Sequence, residues 1–159
     1  MFNDAMIAFL PIDGVWVKQD FPHMTLVHAG PIAERNEEEF NKMAKDALSV
    51  ARLTGCFNLC VTGVEELGQD EKVDVLTLYP TPQLLQARKM VAHWDTGEFP
   101  DYKPHVTIGP AGSAAAIEAP SPVYSMDYRR QSLPTKVYFN KIAACWGDKR
   151  LIFDMETCY

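Results

Sequence analysis

The sequence lacks several features that mark large classes of proteins. No apolar run approaches the roughly 18 residues of a membrane-spanning helix, so no transmembrane segment is expected. The N-terminal stretch has no basic region of the kind that opens a secretory signal, which favours a cytoplasmic protein, of a cell or of a virus inside one. Basic residues are also few, with 15 Lys and Arg against 21 Asp and Glu and a net charge of −6. This balance argues against a protein that binds long nucleic acid, because such binding neutralises many phosphates.

Cysteine and histidine are scarce as well, with four of each. The cysteine spacings match no zinc-binding pattern, and no carboxylate or cysteine lies at a helpful spacing from the histidines, so no metal or other cofactor is expected. Cys56 and Cys60 are predicted to be reduced thiols of the core. With 47% hydrophobic residues, the chain can build a proper core, and residues 1–159 are predicted to form a single domain.

Hydrophobic periodicity predicts an α+β fold with two strand–helix–strand halves. Asn36 and Thr81 are predicted N-caps of the two main helices, and Pro82 suits the first position of the second helix. The predicted order is strand 5–12, strand 22–29, helix 34–53, paired strands 56–67 and 73–79, helix 82–93, a strand at 105–108, a short helix at 114–119, and a closing hairpin of 136–146 and 150–155.

Two four-residue segments share one pattern of histidine, apolar, threonine, apolar. They are His23-Met24-Thr25-Leu26 and His105-Val106-Thr107-Ile108, about 80 residues apart. Proline precedes each histidine, and an aromatic residue stands close by in both cases. Two of only four histidines therefore occupy a repeated setting, which is typical of a symmetric pair that acts on one substrate.

The alternation of both segments predicts strands, and successive side chains of a strand point to opposite faces. His23 therefore shares a face with Thr25, and His105 shares a face with Thr107. If the two strands are neighbours in one sheet, two imidazoles and two hydroxyls converge on one groove. Such a set suits cleavage of a phosphodiester without a metal: one imidazole takes a proton, the other gives one, and the hydroxyls donate to phosphate oxygens. Which histidine is the base stays open.

These two segments and the order of the elements around them resemble the 2H phosphoesterases over most of the chain. That family is defined by two His-x-Thr/Ser-x motifs on strands, roughly 80 residues apart. The resemblance implies one bilobal, pseudo-twofold domain, with concave antiparallel sheets, flanking helices and a central groove. It implies catalytic roles for His23, Thr25, His105 and Thr107. Family members commonly place a helix before the first motif, whereas here only residues 13–22 intervene.

Further candidates for contact with the substrate are aromatic and basic residues near the predicted groove. The parity of the first motif strand places His28 on the face opposite His23, so His28 is predicted to be structural or exposed. His93 is predicted to interact with the dipole at a helix end. The substrate-binding candidates are Trp16, Tyr102, Lys103, Tyr124, Arg129, Arg130 and Trp146.

Three functions follow as expectations. The first is cleavage of a cyclic oligonucleotide immune signal, as in phage enzymes that defeat CBASS immunity, favoured by small size, the missing helix and acidic charge. The second is processing of a 2',3'-cyclic phosphate or a 2'-5' linkage at RNA ends. The third, of another class, is a nucleotide-binding sponge without turnover. In each case the partner is a small nucleotide, with neither long nucleic acid nor membrane, and the protein is expected to be a monomer.

Overall fold

The computed structural model describes residues 4–12, 21–97, 101–118 and 133–155. In these ranges the α+β prediction is confirmed, and each predicted element is present within a few residues of its predicted bounds. Two short 3₁₀ turns, Ile32–Glu34 and Ala92–Trp94, complete the pattern. The elements are β1 (Asp4–Pro11), β2 (Met24–Pro31), α1 (Glu37–Leu53), β3 (Phe57–Leu67), β4 (Val73–Leu78), α2 (Pro82–Val91), β5 (His105–Pro110), α3 (Ser113–Glu118), β6 (Lys136–Trp146) and β7 (Lys149–Asp154).

All strand pairs of the sheet are antiparallel. The strand order is β1-β2-β5-β4-β3-β6-β7, and β1, the first strand of that order, also pairs with β6, the last but one. Most neighbours share four to seven residue pairs, whereas β2 and β5 are joined through the pair of Met24 with Val106. The two strands that carry the motifs are therefore the most narrowly joined neighbours of the sheet.

Both main helices begin at the predicted caps. The Asn36 side chain accepts a hydrogen bond from the Glu39 amide at 2.9 Å, and the Thr81 hydroxyl accepts one from the Leu84 amide at 3.3 Å. Within the described ranges, no helix is long and apolar enough to cross a membrane. The helices and one face of the sheet enclose the main core, to which α1 contributes Phe40, Met43, Ala44, Ala47, Val50 and Ala51.

A second, smaller apolar cluster lies on the other face of the sheet, where the motif side chains are found. Its members come from β1, β6 and the segment before β2, and each is at most 8% exposed. The wall of β1 and β6 beside the motifs is therefore well packed. The cluster consists of Met6, Ala8, Leu10, Phe21, Ala143 and Cys145.

The described cysteines differ in burial and in disulfide bonding, which the sequence does not predict. Cys60 is a free thiol but is exposed, so the prediction that it belongs to the core is wrong. Cys145 is free and buried, and burial raises its pKa to about 11. Cys56 is disulfide-bonded, so the prediction that it is a reduced thiol is wrong. Spacing along the chain carries no information on which cysteines approach one another in the fold.

Candidate active site

The pairing of β2 with β5 brings the two motifs side by side. The strands are antiparallel and Met24 pairs with Val106. The residue after Met24 therefore lies beside the residue before Val106, which places Thr25 next to His105 and His23 next to Thr107. The expectation that the motif strands are neighbours is confirmed, and each imidazole has a hydroxyl from the other strand beside it.

Both imidazoles are oriented by the same backbone contact. His23 Nδ1 lies 2.7 Å from the carbonyl oxygen of Phe21, and His105 Nδ1 lies 2.7 Å from the carbonyl oxygen of Lys103. Because a carbonyl oxygen can only accept, each Nδ1 carries the proton and donates it. In the neutral ring Nε2 is then a base, and in the charged ring Nε2 is an acid. In both rings Nε2 is therefore the nitrogen that can take or give a proton.

The surroundings distinguish His23 from its partner. Its ring stacks on Phe21, with ring centres 5.3 Å apart and planes 23° apart. Burial lowers the pKa of His23 from its ordinary value of 6.5; the contact with the Phe21 carbonyl raises it, and the nearby charges of His105, His28 and Arg150 lower it further. Since a lowered pKa keeps the ring neutral near pH 7, His23 is suited to act as the base.

The hydroxyl groups of Thr25 and Thr107 are candidate hydrogen-bond donors to a substrate. Thr25 Oγ1 donates to the sulfur of Met6 at 3.7 Å, and a thioether is a weak acceptor that a phosphate oxygen can replace. Thr107 is half-buried on β5, paired across the sheet with Val75. Two hydroxyl donors beside two imidazoles, together called the phosphoryl cradle below, are an arrangement suited to the oxygens of one phosphoryl group.

A cavity of about 520 Å³ opens where β2 and β5 diverge. Its volume is within the range of sites for small molecules. Thr25 and His105 belong to its wall, so the cavity is continuous with the motif pair. The described residues that line it are Thr25, Leu26, Val27, His28, Leu67, Gly68, Gln69, Arg88, Asp95, Asp101, Tyr102, Lys103 and His105.

Two side chains bind carbonyl groups of β2 beside the point where that strand leaves β5. Tyr102 donates its hydroxyl to the carbonyl oxygen of Thr25 at 2.9 Å, and Arg88 Nη1 donates to that of Leu26 at 2.6 Å. Arg88 also pairs with Asp95 at 2.7 Å and lies 4.3 Å above the Tyr102 ring centre. The pair therefore supplies hydrogen bonds that a neighbouring strand would otherwise make, and it holds the backbone of a motif threonine.

Replacing Tyr102 by Phe should remove one of these hydrogen bonds and little else. Burial raises the pKa of Tyr102, so its hydroxyl is a donor throughout the neutral range. Loss of the donor leaves a carbonyl group of β2 short of a partner, and we expect the free energy of unfolding to fall by about 1–2 kcal/mol. Urea titration measures it, with the exposed Tyr138→Phe as the control that should change nothing. Equal stability of both variants would contradict a role for this hydrogen bond.

His28 lies on the motif face, so its placement on the opposite face by parity is wrong. Consecutive residues of β1 pair with Thr25 and then with Val27, which makes Leu26 an extra residue, a β-bulge. The bulge resets the alternation, and His28 lines the same cavity as Thr25. The sequence does contain a signal for it, since the adjacent apolar residues Leu26 and Val27 interrupt the period of two.

The residues predicted to bind substrate do not all line the cavity. Tyr102 and Lys103 line the cavity, with one face of the tyrosine ring covered by Arg88 and with Lys103 Nζ 3.0 Å from Glu65. Trp146 stacks on Phe40 of α1 and packs against the main core, a placement that does not support contact with the substrate. The other four candidates, Trp16, Tyr124, Arg129 and Arg130, lie outside the described residues.

Sequence patterns also missed residues of the cavity. Arg88 and Asp95 come from the second helix and the turn after it, and nothing in their local sequence links them to the motifs. His93, the fourth histidine, contacts Asp46 of α1 at 2.9 Å and is not part of the cavity. Only the packing of α2 against β2 shows which polar residues of this region reach the site.

The fold and the site together define a class, that of α+β proteins with paired His-x-Thr strands beside one cavity. The family profile described as "2'-5' RNA ligase superfamily" matches residues 14–148, and the chain belongs to this superfamily of 2H phosphoesterases. Membership implies phosphodiester cleavage as the chemistry of the site. No curated protein matches this chain by sequence.

Solved structures show the same fold at low identity. TT0787 of Thermus thermophilus is 17% identical, with a TM-score of 0.55, and covers 96% of this chain and 95% of its own. Usb1 of Kluyveromyces marxianus is 12% identical, with a TM-score of 0.58, over 96% of this chain and 98% of its own. Escherichia coli LigT complexed with 3'-AMP is 15% identical, with a TM-score of 0.53, over 97% and 95%.

Proposed function

We propose that this protein is a metal-independent phosphodiesterase that cleaves a nucleotide phosphodiester with His23 and His105 as its acid–base pair. The observation that carries the proposal is the matched orientation of the two imidazoles, each fixed through Nδ1 by a carbonyl group two residues earlier. A pair of rings that only filled space would not need the same tautomer. Family membership supports the same chemistry.

In the proposed reaction the two histidines have opposite tasks. His23 Nε2 takes the proton from the attacking oxygen as the new P–O bond forms. The bond from phosphorus to the leaving oxygen breaks, and His105 Nε2–H gives that oxygen a proton. Thr25 and Thr107 donate to the non-bridging oxygens, where charge concentrates. The attacking group is the ribose 2'-hydroxyl when it lies next to the scissile phosphate, and water when the phosphate is already cyclic.

Two substrate classes are proposed for this site. Small size and acidic charge favour a cyclic oligonucleotide signal, as in phage anti-CBASS enzymes. The charge of the cavity favours the second class, a 2',3'-cyclic phosphate or 2'-5' linkage at an RNA end. Among the described lining residues, Arg88 and Lys103 are the arginine and the lysine, and they already pair with Asp95 and Glu65. A ring with several phosphates needs more positive charge than that.

Turnover by the purified protein in EDTA tests the proposal. The panel contains cyclic di- and trinucleotides, 2'-5' and 3'-5' linear dinucleotides, and 2',3'-cyclic mononucleotides. We expect cleavage that EDTA does not reduce, with the preferred substrate deciding between signal destruction and RNA-end processing. Tight binding of one nucleotide without any product would contradict catalysis and favour the sponge.

The pH dependence of kcat/KM should reflect the unusual His23. A general base acts in its neutral form, so activity rises with pH through the pKa of the base. Because burial holds the pKa of His23 below 6.5, we expect the acidic limb of the profile to have its midpoint below pH 6.5. Initial rates measured from acidic to mildly alkaline pH give this midpoint. A midpoint clearly above the ordinary histidine value would assign the base to another group.

A further inference from the structure

Three side chains are stacked in a row that ends on the His23 ring. The guanidinium of Arg150 lies 3.9 Å from the ring centre of Phe21, and the Phe21 ring centre lies 5.3 Å from that of His23, with planes 23° apart. The carbonyl oxygen of Phe21 also accepts the hydrogen bond of His23 Nδ1 at 2.7 Å. Phe21 therefore fixes the imidazole both by its face and by Nδ1, and a group that holds Phe21 also holds the proposed base.

The register of the sheet brings Arg150 to the motif face. Arg150 of β7 pairs with Cys145 of β6, which pairs with Met6 of β1, and paired residues of antiparallel strands share a face. Met6 is the residue whose sulfur accepts the hydrogen bond of Thr25 Oγ1. Arg150 thus lies two strand spacings from Met6, about 10 Å, and its long side chain reaches over the buried Phe21.

The charge of Arg150 acts on His23 as well. Burial is the main cause that lowers the pKa of His23, a backbone hydrogen bond raises it, and the charges of His105, His28 and Arg150 lower it further. Two of these three groups are imidazoles, which lose their charge near neutral pH, whereas a guanidinium keeps its charge. The Cys145 thiol opposite Arg150 is neutral in this range, because burial raises its pKa to about 11. Of the three charges, that of Arg150 therefore persists at the pH at which a general base works.

The other histidine of the pair is anchored in a different way. His105 Nδ1 binds the carbonyl oxygen of Lys103, and the Lys103 ammonium binds Glu65 of β3 at 3.0 Å. Each imidazole is thus held through the residue two places before it, and a side chain from another strand anchors that residue. The anchor is a salt bridge on the His105 side and a guanidinium above a phenyl ring on the His23 side. Because the two motifs have the same pattern, differences of this kind in their surroundings distinguish a base from an acid.

We infer that Arg150 is a positioning residue for the phosphodiester reaction: it holds Phe21 against the His23 ring, and its charge favours the neutral imidazole that a general base needs. The inference rests on the proposed function and adds to it a residue that lies outside both motifs. A guanidinium above an aromatic ring is attracted to the negative face of that ring, which keeps the stack together. Its planar shape also suits a flat ring better than a lysine ammonium does.

The pH profile of kcat/KM separates this role from a merely structural one. Arg150→Gln keeps a planar polar group but removes the charge, and Arg150→Lys keeps the charge but removes the planar group. In Arg150→Gln we expect the acidic limb to move to higher pH, so that kcat/KM on this limb falls roughly three- to tenfold more than on the plateau. Arg150→Lys should keep the limb in its wild-type position and lower the plateau by roughly two- to tenfold, because Phe21 is held less firmly. A limb that stays in place in Arg150→Gln, or that moves equally in both variants, would overturn the inference.

The matched control is Lys149→Met on the same strand. Lys149 Nζ lies 5.3 Å from the ring centre of Phe40 in α1, so this variant also removes a cation above a phenyl ring, but one that belongs to the main core. It should leave the plateau and the acidic limb unchanged. An equal shift of the limb in Lys149→Met and Arg150→Gln would show an effect of overall charge and would also overturn the inference. Arg150→Met, with the same expected shift, replaces Arg150→Gln if that variant does not fold.

An NMR titration of histidine-labelled protein tests the same effect without turnover. The chain has four histidines, and comparison with His23→Ala assigns the resonance of His23. We expect its titration midpoint to lie at higher pH in Arg150→Gln than in the wild type or in Lys149→Met. This shift in a protein that cleaves none of the nucleotides would refute the proposed phosphodiesterase and leave the effect of Arg150 on His23 standing. Turnover with a His23 midpoint that does not respond to Arg150 would refute the inference and leave the phosphodiesterase standing.

Discussion

Alanine in place of His23 or His105 is expected to lower kcat by roughly 10²- to 10⁴-fold in each case, the usual contribution of a positioned acid or base. Each ring presents Nε2 to the reaction because a carbonyl group holds its Nδ1. An alanine at either position leaves the proton transfer on that side to water, which is not held in place. Initial rates in EDTA with saturating substrate measure the loss.

A variant with alanine at both His23 and His105 tests this prediction more strictly. In the proposed reaction base and acid act as a unit, so removing both should cost little more than the worse single variant, rather than the product of the two. His93→Ala is the control, because its ring contacts Asp46 on α1 and plays no part in the proposed step. More than about a tenth of wild-type kcat in either single variant would exclude the two-histidine mechanism. Circular dichroism confirms that each variant is folded.

Replacement of Arg88 by Met is expected to have the second largest effect. The change removes the donor to the Leu26 carbonyl and leaves Asp95 without its partner, while the methionine retains much of the aliphatic stem. Breaking a fully buried pair costs about 3–5 kcal/mol, and these side chains are 18% and 22% exposed, so we expect about 2–3 kcal/mol. The backbone of Thr25 loses support beside the phosphoryl cradle, and kcat should fall about tenfold, a cost typical of misplaced catalytic groups.

Arg35 offers a closely matched control, because it also binds a carbonyl group of β2. Its Nε donates to the Ala29 carbonyl at 2.9 Å, its Nη1 pairs with Glu39 at 2.8 Å, and its guanidinium lies 5.3 Å from the Trp94 ring centre. Arg35→Met therefore removes the same kinds of contact near the end of β2 that is remote from the motifs. It should lower stability by about 1 kcal/mol and leave kcat unchanged. A similar fall of kcat in both variants would show that Arg88 acts through general stability alone.

Local patterns were sufficient for the elements and for the motif residues. The 3.6-residue stripe and the cap at Asn36 predict α1, because a helix start satisfies its amide groups within a few residues of the chain. Alternation likewise places His23 with Thr25 and His105 with Thr107, since strand parity is a local property. The repeated motif then indicates the family and the class of chemistry. It does not indicate what the other substrate-binding candidates do.

What the sequence by itself determined is thus the set of helices and strands, their capping and the paired His-x-Thr motifs. Only the tertiary structure decided that β2 and β5 meet at Met24 and Val106, that a bulge turns His28 to the cavity, and that Arg88 supports the motif strand. It also placed Trp146 against Phe40 rather than in the cavity. The reason is physical: pairing and register satisfy backbone groups and bury side chains across distances in sequence that no local period encodes.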